Sequence, residues 1–162
     1  VGPDENFRDI NFEKYPEGKL KRSIIDLKEK TTELETISNQ CCEFATVNPK
    51  YLGIKASFSW MACTDQKMGN APLQAIKKVN LVTKEEISWS AAPAGFVSEP
   101  IMVPDENSSK EDEGFLFILL WNGLRRGSDL VILDAKDLTE LAIYDLPISI
   151  PHGLHGSWIN QY

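Results

Sequence analysis

Histidine is almost absent from this chain: there are two among 162 residues. Both lie in Pro151-His152-Gly153-Leu154-His155-Gly156-Ser157-Trp158, so any imidazole chemistry belongs to that octapeptide. Cysteine is scarce as well. Cys41, Cys42 and Cys63 are odd in number and two are adjacent, which excludes both a disulfide framework and a C-x-x-C zinc pair. They read as reduced thiols inside a cell, with cytoplasm and plastid both open. Lysine and arginine number 17 against 24 aspartates and glutamates, a net charge of −7. No basic stripe exists to displace counterions, so nucleic acid is not expected as a partner. Long apolar runs are missing too. The longest, 115–121, is far short of the roughly 20 residues that span a bilayer. No signal peptide opens the chain, which begins at Val1 without a methionine and so reads as a processed or truncated product. No lysine, serine or cysteine has the local context of a nucleophile, which argues against covalent catalysis.

Helical periodicity is the last absence, since apolar residues nowhere hold the i, i+3, i+4, i+7 pattern over three turns. What is present is a series of short β-rich runs separated by turn signals, an all-β sequence. Strands are expected at 99–103, 114–121, 129–134 and 140–146, and a preceding unit repeats the plan at 42–47, 55–60, 74–81 and 85–90. Two more are expected at 20–27 and 33–37. The stretch Val79-Asn80-Leu81-Val82-Thr83-Lys84-Glu85 parallels Ile132-Leu133-Asp134-Ala135-Lys136-Asp137-Leu138, each an apolar strand running into a polar hairpin turn.

Four-stranded units at a period of about 40–56 residues point to a β-propeller, whose blades bury their faces against one another. The run Phe115-Leu116-Phe117-Ile118-Leu119-Leu120 is apolar on both faces, as a sheet sandwiched between neighbours requires. A β-sandwich is the competing arrangement. On the propeller reading the chain holds about two to three blades, with blade-like units near 20–38, 41–91 and 97–147 and the first strand of another at 151–160.

The first strand of a blade lines the central channel, and equal spacing then converts a period into a site. Glu43, Glu99 and His155 are successively 56 residues apart, which places them at matching depths around one axis. A metal-binding histidine needs an acceptor at its second ring nitrogen, usually a carboxylate. His155 is therefore a candidate metal ligand, with Glu43 and Glu99 as candidate carboxylates behind such ligands. His152 is three residues away and on a strand points to the opposite face, so the two imidazoles do not share one metal. The plainer alternatives are a capped structural histidine in a glycine-rich turn and two solvated strand-end glutamates.

The same residues resemble a known family. Pro151-His152-Gly153-Leu154-His155-Gly156-Ser157-Trp158 is similar to the P-x-G-x-H-G-[ST]-W ending of the carotenoid cleavage oxygenases, which include apocarotenoid and lignostilbene dioxygenases and a visual-cycle isomerase. In the same order, Cys42-Glu43-Phe44 with Val47-Asn48-Pro49-Lys50-Tyr51 resembles E-[FL]-P-R-[IV]-N-P-x-Y, and Ser98-Glu99-Pro100-Ile101-Met102-Val103-Pro104 resembles G-E-P-x-F-V-P. Glu111-Asp112-Glu113-Gly114 resembles E-D-D-G, and Ser128-Asp129-Leu130-Val131-Ile132-Leu133-Asp134-Ala135 resembles S-x-L-x-I-L-D-A. There are two departures: His152 stands where an aromatic is common, and Ala45-Thr46 replaces Pro-Arg.

This resemblance implies an all-β, seven-bladed propeller of which residues 1–162 form a C-terminal segment. It implies Fe(2+) on the axis, held by four histidines with glutamates behind them. His155 falls on the last of the four ligands, and Glu43 and Glu99 fall on two of the glutamates. The other three histidines are expected upstream of Val1. The implied activity is dioxygenase cleavage, with O2, of a conjugated C=C bond in a carotenoid, apocarotenoid or stilbene-like substrate, giving carbonyl products. The implied substrate is an apolar polyene or stilbene, and peripheral membrane contact of the full-length protein is compatible with it. Two alternatives are a non-catalytic propeller fragment or paralogue lacking its metal, and an isomerase on the same scaffold.

Overall fold

In the computed structural model the chain is described over residues 16–67, 69–70, 72–153 and 155–159. Eleven strands occur in chain order among them: β1 Lys21–Asp26, β2 Thr31–Thr36, β3 Cys42–Thr46, β4 Phe58–Thr64, β5 Leu73–Asn80, β6 Glu86–Ser90, β7 Gly95–Val97, β8 Ile101–Pro104, β9 Gly114–Asn122, β10 Gly127–Asp134 and β11 Glu140–Asp145. One 3-10 turn, Pro49–Tyr51, follows β3. The strands form three antiparallel sheets: β1-β2, then β3-β4-β5-β6, then β11-β10-β9 with β7 and β8 both paired to the far side of β9.

The hairpins share one turn chemistry. Asp26, Asn80, Asn122 and Asp134 end strands, and each side-chain oxygen accepts one or two backbone amides just ahead of it, as Asn80 Oδ1 does from Val82 and Thr83 at 2.9 and 3.0 Å. Four positions after each of them the backbone turns left-handed, at Lys30, Lys84, Arg126 and Leu138. Short Asx side chains favour such turns because they replace the backbone hydrogen bonds that the reversal removes. The parallel between 79–85 and 132–138 in the sequence is this repeated device.

Strand alternation then divides the side chains between two cores. On β4, Trp60 and Ala62 face the third sheet, while Met61 and Cys63 face the first hairpin. On β5, Ile76 joins the former group, and Ala75 and Val79 the latter. The larger core adds Met102, Leu116, Ile118, Leu120, Val131 and Leu133 from the third sheet. The smaller takes Ile37 and Leu20 from the first hairpin. A two-sheet sandwich has one core, whereas here the middle sheet is covered on both faces. The structure therefore favours stacked blades over the sandwich.

Polar groups reinforce the second-to-third contact. Trp60 Nε1 donates to the Ala135 carbonyl at 2.8 Å. The buried Glu111 carboxylate accepts the Ser57 and Phe58 amides at 2.7 and 2.9 Å, and Lys78 Nζ meets Asp112 Oδ2 at 2.7 Å. Gly114 closes this segment at φ +150, where an added Cβ would lie 2.3 Å from the Val103 carbonyl oxygen. The Glu111-Asp112-Glu113-Gly114 motif is thus a fastener between sheets.

Three expected strands differ in the structure. The strand expected at 55–60 begins at Phe58 and runs to Thr64, with Glu111 taking the Ser57 and Phe58 amides at its start. The strand expected at 99–103 begins at Ile101 as β8, a further strand, β7, precedes it, and Glu99 lies in the gap between them. Pro100 has no N–H to offer the ladder, which explains the break. The segment expected to open a further blade, 151–160, has no ladder among its described residues 151–153 and 155–159. It lies instead along the exposed face of the third sheet, where Trp158 stacks on Phe117 at 5.2 Å.

Candidate functional site

Both edge strands bulge where the 150–159 segment passes. In β3, Glu43 pairs with Ala62 and Thr46 with Trp60, so Phe44 and Ala45 together face Met61. In the third sheet, Val97 pairs with Leu120 and Ile101 with Phe117, leaving Ser98, Glu99 and Pro100 opposite two residues of β9. An extra residue bends a strand and re-aims a side chain, and bulges favour sheet edges and functional sites.

Each bulge delivers one side chain to His155. Ser98 fills the vacant rung of β9: its N–H donates to the Leu119 carbonyl at 3.0 Å and its Oγ accepts the Leu119 amide at 3.1 Å. That leaves Glu99 free to turn away from the ladder. Its Oε2 accepts the Gly156 amide at 2.9 Å, and both carboxylate oxygens stand 3.4 Å from His155 Nδ1. The amide bond is the firmer anchor, since 3.4 Å lies at the outer edge of hydrogen-bonding range. Gly156 lies so close to Ile101 that an added Cβ would be 2.9 Å from its Cδ1.

Phe44 supplies the second contact. Its ring centroid is 5.7 Å from that of His155, at 87° between planes. Its φ is +58, a left-handed conformation that for a bulky side chain costs about 1–3 kcal/mol and persists only where surroundings enforce it. Further along, Ile150 N donates to Ser128 Oγ at 2.8 Å, and His152 meets Phe96 edge to face at 6.4 Å. Behind these contacts is a cavity of about 140 Å³, lined by Leu119, Trp121, Leu130, His152 and His155. A second, of about 370 Å³, also reaches Glu99 and is lined by Thr46, Pro49, Met102 and Trp158.

Of the three residues expected from spacing, the structure joins His155 to Glu99. Glu43 is exposed on β3, with its carboxylate beside Gly18, and the β3 residue that meets His155 is Phe44. Phe44 lies inside a motif read from the sequence, but regular strand alternation puts a residue at that position on the face opposite Glu43, and only the bulge reverses that. Among the described residues no three His, Cys, Asp or Glu side chains converge to hold a metal. Of the two histidines, His155 is the one with a carboxylate beside its ring, Glu99 at 3.4 Å. With Nδ1 turned to a carboxylate, Nε2 is the free donor, and the side chain is 76% exposed. The cysteines are not competitors. Burial pushes the Cys41 and Cys42 thiols up, and Cys63 as far as about 12, so all three stay protonated at neutral pH.

Stacked antiparallel sheets of two, four and five strands, joined face to face through shared cores, define blades of a β-propeller. Residues 2–160 match the family described as Retinal pigment epithelial membrane protein (RPE65), and the chain belongs to that family, the carotenoid cleavage oxygenases. It is 42% identical over 160 residues to the apocarotenoid-15,15'-oxygenase of Synechocystis sp., covering 98% of this chain and 33% of that protein. It is 31% identical over 153 residues to lignostilbene-alpha,beta-dioxygenase isozyme III of Sphingomonas paucimobilis, covering 86% of this chain and 31% of the relative. Among solved structures, cobalt-substituted Synechocystis ACO superposes with a TM-score of 0.95 at 40% identity, over 99% of this chain and 34% of that one. The chain thus spans about a third of the length of these relatives.

Proposed function

We propose that this chain is the C-terminal part of a non-haem iron(II) dioxygenase that oxidatively cleaves a conjugated C=C bond of a carotenoid, apocarotenoid or stilbene-like substrate to two carbonyl products. The observation that carries the reading is the carboxylate-backed His155, in a chain 42% identical to an apocarotenoid oxygenase. The donor set fits one position of a histidine-rich iron site. His155 would hold the metal through Nε2, and three further histidines would come from sequence preceding this segment. The chemistry supplied by bound iron(II) is the activation of O2.

The residues present do the positioning. Glu99 accepts a hydrogen bond from Nδ1–H, fixes the tautomer with its lone pair on Nε2, and makes that nitrogen more basic. Its second bond, to the Gly156 amide, ties the histidine's own backbone to the third sheet. The Glu43 carboxylate is assigned the same duty toward another of the histidines. Phe44, Phe96 and Phe117 set apolar rings against His155, His152 and Trp158, a lining that suits a polyene.

The test uses the full-length protein. His155→Ala should abolish iron retention, and 18O2 should label the carbonyl products of the wild type. Cleavage without label from O2 would sink the dioxygenase reading, and double-bond isomerisation without cleavage would replace it. Unchanged iron content in His155→Ala would remove the ligand assignment.

A further inference from the structure

We infer that Phe44 is a positioning residue: its ring, forced out of the β3 ladder by the bulge, sets the rotation of the His155 imidazole and so the direction of Nε2. The inference rests on the reading of His155 as a metal ligand and deepens it. Among the described residues five non-glycine positions have positive φ. Lys30, Lys84, Arg126 and Leu138 each close a hairpin that begins with Asp or Asn, where the turn itself requires the conformation. Phe44 is the fifth and falls inside a strand, between the register pairs Glu43–Ala62 and Thr46–Trp60.

A bulge that served only to bend β3 would be formed most readily by glycine or asparagine at this position. A phenylalanine held there indicates that its side chain is required where the bulge sends it. That place is two-sided. Phe44 packs on the core between the second and third sheets, which fixes its ring, and it meets His155 at 87°. Glu99 constrains the imidazole at one nitrogen, at 3.4 Å, and a ring held at one point still swings about it. A perpendicular aromatic wall removes that freedom, a geometry that aromatic pairs favour.

The experiment loads full-length protein with cobalt(II) and measures its visible absorption bands and the rate of metal loss to a chelator. Phe44→Leu keeps an apolar side chain but removes the ring. The expected result is roughly 10-fold faster metal loss and shifted cobalt bands, with both restored in Phe44→Tyr, on the scale of a lost partner behind a metal ligand. Wild-type release and an unshifted spectrum in Phe44→Leu would overturn the inference. Should Phe44→Leu not fold, Phe44→Met gives the same comparison at similar volume. His155→Ala is the control that separates the two levels. If it retains cobalt like wild type, the ligand reading fails; if it loses cobalt while the Phe44 variants do not, only the positioning role fails.

Discussion

Glu99 holds two points of one segment at once: its carboxylate accepts the Gly156 amide at 2.9 Å and faces His155 Nδ1 at 3.4 Å. Glu99→Gln keeps the shape but replaces a charged acceptor with a neutral one. Iron retention in the full-length protein should fall roughly 10- to 100-fold. The melting temperature should move little, because the amide oxygen still accepts from Gly156. Metal analysis after dialysis checks the first part, and a thermal melt the second.

Removing Lys78 should be far more damaging to the fold than to the site. Its Nζ meets Asp112 Oδ2 and the Lys136 carbonyl, each at 2.7 Å, and lies 4.3 Å above the Phe58 ring. Lys78→Ala strands a carboxylate and a carbonyl at a buried interface, a loss of about 3 kcal/mol. Combining Lys78→Met with Asp112→Leu should recover much of it, since both charges then leave together. Denaturant titration of the two single variants and the double variant supplies the coupling.

Gly114→Ala should fail on backbone grounds alone. The residue adopts φ +150, and a methyl group would overlap the Val103 carbonyl oxygen. The penalty should exceed about 1 kcal/mol, the scale of an ordinary glycine effect, because strain and a backbone collision add. A drop in the unfolding midpoint measures it.

The cysteines set an alkaline limit on stability. Burial raises the Cys63 thiol from its ordinary 9.0 to about 12, so in that interval the unfolded chain releases a proton that the folded chain keeps. Stability from this group is complete below about pH 9 and declines as pH rises toward 12. Native protein at pH 8 should resist a thiol reagent at Cys63 and react on unfolding. Rapid modification of Cys63 in folded protein would contradict the burial that causes the shift.

Much of the fold was legible because it rests on local chemistry. Asn80 and Asp134 announce their hairpins, whereas the doubly apolar Phe115-Leu116-Phe117-Ile118-Leu119-Leu120, read as a strand covered on both sides, buries Leu116, Ile118 and Leu120 and leaves Phe115 and Leu119 exposed on the other face. The pairing of Glu99 with His155 was legible as a spacing, since both answer to the same repeat. The bulges were not. Phe44 reads from the sequence as an ordinary alternating strand residue, and Gly95-Phe96-Val97 reads as loop after Ala92-Pro93. Their placement depends on register against β4 and β9, a nonlocal property. Glu43 shows the converse: its spacing matches that of Glu99, yet no described histidine stands beside it.

Lys77 and Lys78 are adjacent on β5 and point to opposite sides of the sheet. Lys77 reaches Ser38 next to the first hairpin as well as Glu86, and Lys78 reaches Asp112 beside the third sheet. One peptide unit thus carries a polar tether in each direction. Adjacent residues of one strand therefore tether the middle sheet to the elements on both of its faces.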